Sequence, residues 1–240
     1  MSQTRTSPDA PEEKSSGGFL AFLREVAIVL GAALVLSLIV RTFLIQAFYV
    51  PSESMENTLM PQDRILASKI STHLGGVKRG EIVVFTDPSD WLPAGLTQPS
   101  TGLPRMLEWV GLLPSRSGDE LVKRVIGVPG DHVVCCSEDG RIVLNDVPLD
   151  EPYIKPGDGT DQVQFDVVVP AGNMFVMGDN RSQSADSRYH LDENEGMVPE
   201  TSVVGRVVLT AWPLSQFSTH PIPSVPFDDP ALGNPKGDQQ

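Results

Sequence analysis

Cysteine is almost missing from this 240-residue chain: Cys135 and Cys136 are the only two, and they are adjacent. Two cysteines exclude a zinc cluster built on thiolates and a disulfide-dense scaffold. Basic residues are scarce too, with 18 Lys and Arg against 31 Asp and Glu and a formal charge of -13. A surface that acidic repels phosphate backbones and lacks the positive footprint of a nucleic-acid binder. The four histidines (His73, His132, His190, His220) accompany no nucleophile-elbow pattern, and no HExxH spacing occurs. A Ser-His-Asp triad and a catalytic metal therefore have no sequence support, and neither a metal nor another cofactor is expected. No internal repeat is present.

Long apolar runs are missing as well, with one exception. "VAIVLGAALVLSLIV", Val26 to Val40, has no charge, is preceded by Arg24 and Glu25, and is followed by Arg41. As a helix those residues reach only about 22 Å. Continued to Ile45 the segment reaches roughly 30 Å, a bilayer core, if Arg41 snorkels toward headgroups. The sequence is read here as one transmembrane helix over residues 19–45; a cleaved secretory signal and a buried core helix are the competing readings. No small-x-small cleavage signature follows, and a soluble core helix would show polar positions every third or fourth residue. Lys14 and Arg24 on the N-terminal side, against Arg64 on the far side, put the N-terminus inside and the rest of the chain outside a plasma membrane. Residues 1–18, polar and rich in Ser, Pro and Gly, read as a disordered cytoplasmic tail.

Beyond Ile45 the apolar runs are short and β-branched: "RILASKI", "EIVVF", "LVKRVIGV", "HVVCC", "RIVLN", "QFDVVVP", "NMFVMG" and "SVVGRVVLTAW". Gly, Pro, Asn or Asp separates most of them, which predicts a mainly β fold, an antiparallel β-sheet domain over residues 46–217 tethered by one N-terminal transmembrane helix. Residues 87–120 interrupt the rhythm as a Pro/Gly/Ser-rich insertion around "LPRMLEWVGLLP". It is either a loop packed over a sheet edge or, with Trp109, a lip resting on a bilayer surface. Residues 218–240 are proline-rich and are expected to be poorly ordered. Adjacent side chains on a strand face opposite ways, and neighbouring Cα atoms lie about 3.8 Å apart, below the usual disulfide range. Cys135 and Cys136 are accordingly expected to be two free thiols, with a vicinal disulfide as the alternative.

Three polar segments carry candidate chemistry. "VPSESMENTL" sets Ser52 and Ser54 beside Met55, directly after the apolar segment; serine and proline are routine turn formers, so an ordinary turn is one reading. If either serine is a nucleophile its base must be other than histidine, and a desolvated lysine can serve. In "LVKRVIGVPGD", strand alternation puts Lys123 on the face of Leu121 and Val125, with Arg124 on the other face. A lysine on an apolar stripe is either such a base or a residue of a solvated strand face. "GDNRSQSADSR", Gly178 to Arg188, is either a polar loop stitched by Asp-Arg pairs or a floor that fixes an active-site lysine.

"PSESM", "GEIVVF", "LVKRVIGVPGD" and "GDNRSQSADSR", in that order after one apolar helix, resemble the type I signal peptidases of bacteria from about Phe19 to Pro213. The doubled cysteine is similar to members from high-GC Gram-positive bacteria. The resemblance implies a serine endopeptidase with a Ser-Lys dyad that cleaves signal peptides from exported preproteins after small residues, in Ala-x-Ala sequences. By the family pattern Ser54 is the nucleophile, Lys123 the general base, and Ser52 shares an oxyanion hole with the Ser54 amide. Ser184 orients the lysine amine, Asp186 with Arg188 forms a structural ion pair, and Asp179 pairs with Arg124. Phe48, Val50, Pro51, Met55, Leu59, Leu121 and Val122 surround the substrate pockets. The implied partners are signal peptides and the lipid bilayer, with the translocation machinery met only indirectly. Asn57 departs from the pattern, which has proline there. Two rivals stand beside this reading: a self-cleaving Ser-Lys repressor domain, which would be cytosolic and joined to a DNA-binding domain, and a membrane-tethered β domain that binds exported proteins without catalysis.

Overall fold

The computed structural model describes residues 18–70, 75–88, 91–92, 119–160 and 162–233. His73, Lys14, Trp109, most of the 87–120 insertion and residues 1–17 and 234–240 lie outside them.

Helix α1 spans Gly18–Phe43, about 39 Å at the helical rise per residue. Among the described residues it is the one helix long and apolar enough to cross a membrane. Its side chains are exposed along most of the described length rather than packed on the domain, which sets aside the core-helix reading. The helix ends two residues before the predicted limit. Ile45 instead opens strand β1, Ile45–Tyr49, because "IQAFY" pairs in register with β2, Arg64–Ser68.

Each of the eight β-branched runs contains a strand. After β2 come β3 (Ile82–Thr86), β4 (Glu120–Gly127), β5 (His132–Cys135), β6 (Ile142–Leu144), β8 (Phe165–Val168), β9 (Asn173–Met177) and β11 (Val203–Trp212). Three two-residue strands had no sequence signal: β7 (Val147–Pro148), β10 (Val198–Pro199) and β12 (Ser218–Thr219). One sheet runs β1-β2-β11-β3-β4-β9-β10, with β12 on β11, and a smaller one runs β7-β6-β5-β8. All the pairings are antiparallel.

The large sheet is covered on both faces. Alternate residues of β3 serve different cores: Ile82 and Val84 pack with Phe48, Val50, Met55, Leu59 and Ile65, while Val83 and Phe85 pack with Trp91, Val125, Met174 and Val176. This period of two is the strand pleat expressed as packing. A third cluster, with Ile126, Phe175 and Met177 from the large sheet and Val133, Ile142 and Leu144 from the small one, joins the two sheets.

Two sequence expectations are corrected. Residues 218–233 are not a loose tail: β12 pairs with β11, Leu232 is buried in the cluster that joins the sheets, and Asn145 donates to the Leu232 carbonyl. Of the prolines that suggested disorder, Pro226 is buried and Pro230 opens the short helical turn Pro230–Leu232, where its fixed φ suits the backbone. Nor are Cys135 and Cys136 free thiols, for they are bonded to each other. Strand β5 ends at Cys135, so the alternation that would turn the two side chains apart does not extend to Cys136.

The packed tail gives a stability test. Leu232→Ala should destabilise the detergent-solubilised protein by about 2–4 kcal/mol, the usual cost of emptying a buried leucine site. Chemical denaturation measures this, and a change below about 0.5 kcal/mol, typical of exposed positions, would mean that the tail does not contribute to the core.

Candidate active site

The loop that follows β1 is closed on itself by backbone bonds. Val50 N–H donates to the Asp63 carbonyl (2.9 Å) and Gln62 N–H to the Val50 carbonyl (2.8 Å), while Leu59 N–H reaches back to Met55 (2.8 Å). Met55 and Leu59 drop into the core and leave Ser54 at the head of the turn, itself only 5% exposed. Lys123 comes from the middle of β4, opposite Val83 of β3. Val83, Leu121 and Val125 belong to one apolar cluster, so the register sets the lysine beside an apolar stripe.

The Lys123 amine donates to Ser54 Oγ at 2.7 Å. The lysine is 3% exposed, and burial brings its pKa down to about 8; Asp186 works against that shift and Arg188 with it. An amine on an exposed side chain would keep a pKa near 10.4. Burial alone explains the direction, since an ammonium taken out of water loses its solvation.

The Gly178–Arg188 segment holds the site from the other side. Asn180 N–H donates to the Ser54 carbonyl (3.1 Å), and Asn180 Nδ2 donates to the Glu53 carbonyl (3.0 Å). Gly178 lies where these parts converge: a Cβ there would collide with the Ser54 carbonyl and the Ser184 hydroxyl. Asp186 accepts from the Gly178 N–H (2.9 Å) and from Arg188 Nε (2.8 Å). Burial pushes the Asp186 carboxyl upward, but the Arg188 hydrogen bond and charge outweigh it and hold it below its ordinary range. Arg124, buried like its neighbour Lys123, makes a bidentate pair with Asp179, Nε to Oδ1 at 2.8 Å and Nη2 to Oδ2 at 2.6 Å. Asp179 also accepts from Thr58 Oγ1, which ties the Ser54 turn to the same pair.

The structure does not place every site residue as expected. Ser184 Oγ is buried without a hydrogen-bond partner, beside Gly178, rather than bonded to the lysine amine. Ser52 Oγ accepts from the Ser54 N–H at 3.1 Å, so the two groups expected to share an oxyanion meet each other instead. Phe48, Val50, Met55 and Leu59 are 0–2% exposed and form a core rather than an open wall. Pro51 is exposed, and Leu121 and Val122 are half-buried. Sequence reasoning also missed the buried Arg181–Glu151 pair (2.6 Å) and the stacking of Arg124 over the Tyr153 ring, 4.1 Å from its centroid. Arg181 lies within "GDNRSQSADSR", where a signal existed; Glu151 and Tyr153 had none. A cavity of about 970 Å³ lies elsewhere, lined by residues 75–79 and by Ile222, Phe227, Pro230 and Gly233.

A family model described as signal peptidase, peptidase S26, matches residues 23–212. The chain belongs to this family. By that membership it is a serine peptidase. It is 36% identical to the signal peptidase I of Mycobacterium tuberculosis over 220 residues, 81% of this chain and 74% of that one. With the signal peptidase I of Leptolyngbya laminosa it shares 34% identity over 216 residues, 90% of this chain and 93% of that one. The crystal structure of a signal peptidase I from Enterococcus faecalis overlaps with a TM-score of 0.35 at 27% identity, over 54% of this chain and 95% of that one.

The pairing beneath the Ser54 turn can be tested by removing one partner. Asp179→Ala leaves Arg124 charged, buried and unpaired, and should lower stability by about 3–5 kcal/mol. Urea unfolding measures it, and a loss under about 1 kcal/mol, the range of a surface pair, would show that the pair does not support the site.

Proposed function

We propose that the chain is a membrane-anchored endopeptidase that removes signal peptides from exported preproteins, cleaving after small residues in Ala-x-Ala sequences. Ser54 is the nucleophile and Lys123 the general base. The 2.7 Å contact between two buried groups, with the amine brought down to about 8, carries this reading. At pH 7 about a tenth of such an amine is neutral, against less than one part in a thousand for an unperturbed lysine. The neutral amine has a lone pair aimed along the same contact. It takes the Ser54 proton as the oxygen attacks the scissile carbonyl, and the resulting ammonium protonates the leaving amine. Lys123 then takes a proton from water as its oxygen attacks the acyl carbon, and the ammonium returns that proton to Ser54 Oγ as the C–Oγ bond breaks and the carboxylic acid product leaves.

Ser52 is exposed and can rotate away from the Ser54 amide. Both donors then face the oxyanion, a geometry realised as charge develops. The buried Phe48, Val50, Met55 and Leu59 form a tightly packed floor with half-buried Val122 against it and Pro51 exposed; Leu121 packs on the other face of the sheet, with Val83 and Val125. A floor that cannot yield admits small side chains and rejects bulk by overlap. Ser184 lacks a partner in the free protein, and its role is to hold the amine once substrate reorganises the site. Helix α1 is the anchor, with residues 1–18 cytoplasmic and the domain from residue 46 outside. This arrangement meets preproteins whose apolar segments still lie in the bilayer and leaves the translocation machinery only an indirect partner.

Incubation of the detergent-solubilised protein with a preprotein tests the assignment. Ser54→Ala and Lys123→Met should each abolish cleavage, and retention of substantial activity by either would refute the dyad. For the wild type, kcat/KM should rise with pH and level off above about 8, following the neutral amine. Lys123→Met carries a second expectation. The folded-state pKa lies below the unfolded value, so burying the charged amine costs stability in full below about 8, and the cost vanishes as pH rises through the unfolded value. Removing the amine should therefore stabilise the protein at pH 7 by as much as about 3 kcal/mol. A variant that is both inactive and less stable would show that the lysine is structural.

A further inference from the structure

Asn57 stands three residues after the nucleophile with φ of 91°, inside the left-handed region. Asparagine tolerates that region better than most side chains. Proline cannot enter it, its ring fixing φ near -65°, so this chain's departure from the family pattern is matched by a different backbone. The side chain is also engaged. Asn57 Nδ2 donates to the Tyr153 carbonyl at 2.9 Å and approaches the Ile154 carbonyl at 3.4 Å, nearly a hundred residues away in sequence.

What Asn57 grips bears on the other half of the dyad. The Tyr153 ring is buried and stacks under the guanidinium of Arg124, which directly follows Lys123. Two residues on, Lys155 N–H donates to the Asp179 carbonyl (2.9 Å), and Lys155 Nζ pairs with Glu56 at 2.6 Å. The 153–155 segment is thus a strap. One side binds the turn that carries Ser54, through Asn57 and Glu56, and the other binds Arg124 and Asp179 at the base of Lys123.

We propose that Asn57 is a positioning residue for the reaction: its left-handed backbone and its amide bond to Tyr153 fix the Ser54 turn relative to the strand that carries Lys123. The half-buried Glu56–Lys155 ion pair joins two long, rotamer-rich side chains and contributes little rigidity by itself. The amide bond to a backbone carbonyl is short-ranged and directional and is the stiffer link. Losing it lets the turn shift without unfolding, because Met55 and Leu59 stay anchored in the core. A misplaced nucleophile lowers the rate of attack more than the binding of an extended peptide. The assignment rests on the Ser54–Lys123 reading, and the experiment separates the two.

The test uses the full chain in detergent with a preprotein substrate. Asn57→Gly keeps access to positive φ and removes the amide; Asn57→Asp tolerates the backbone but sets an acceptor against the Tyr153 carbonyl. With rates corrected for the folded fraction from near-UV circular dichroism, kcat should fall about tenfold in each variant, the loss of one hydrogen bond's worth of alignment. KM should stay within about twofold, the mark of an effect confined to the transition state. The midpoint of the pH profile should stay at its wild-type value, since the lysine's surroundings are intact. An unchanged kcat per folded molecule, or a rise in KM with kcat preserved, would overturn the proposal. Cleavage by Ser54→Ala, measured alongside, would instead overturn the dyad on which it rests.

Discussion

The architecture depends on keeping one primary amine out of water within hydrogen-bond reach of one hydroxyl. A lysine at the surface is an ammonium at neutral pH and has no lone pair to offer. Burial removes that obstacle at a cost in stability, and it succeeds only if the surroundings can neither admit water nor let the side chain escape. The large sheet meets both conditions because it is covered on both faces, and Lys123 in the middle of β4 is 3% exposed. Charge around the amine is balanced with similar economy. Asp186 would draw the amine back toward its protonated form, and Arg188, bonded to the same carboxylate, offsets that pull.

The polar floor under the site follows the same logic. Arg124, Arg181 and Arg188 are each nearly or fully buried, and each has a carboxylate partner, Asp179, Glu151 and Asp186 respectively. Such pairs are a poor source of net stability, because desolvation consumes most of the attraction. Their value here is directional. Guanidinium forks fix planes and angles, and through Gly178, Asn180 and Thr58 they fix the carbonyl of Ser54 and the turn behind it. Replacing them with apolar residues would preserve a core and lose the register between Ser54 and Lys123.

Much of this could be read from the residues alone, for identifiable reasons. Period-two runs bounded by Gly, Pro and Asn marked the eight principal strands, and the same alternation put Lys123 on the stripe with Leu121 and Val125. What alternation could not give was depth. Arg124 was assigned to the opposite face, which is correct, but that face is also buried, so the arginine required Asp179 and the Tyr153 ring. Two-residue strands such as β10 leave too short a pattern to detect. The tail beyond Ser218 was misread because prolines that order a chain through fixed turns have the same composition as prolines that keep one open. Asn57 was seen only as a missing proline; its positive φ and its bond to Tyr153 depend on a partner that sequence spacing does not reveal. The hydroxyl of Ser184 was expected on the lysine and lies beside Gly178.

Family membership establishes a peptidase, and the proposed dyad rests on the Lys123 amine within 2.7 Å of Ser54 Oγ. The most direct test is to titrate that amine itself. With Cε-labelled lysine in the full-length protein in detergent, the Lys123 resonance can be assigned by its absence from Lys123→Met, since the chain has only six lysines. The account requires its chemical shift to titrate with a midpoint near 8. A midpoint near 10.4, the value of a solvated lysine, would contradict it.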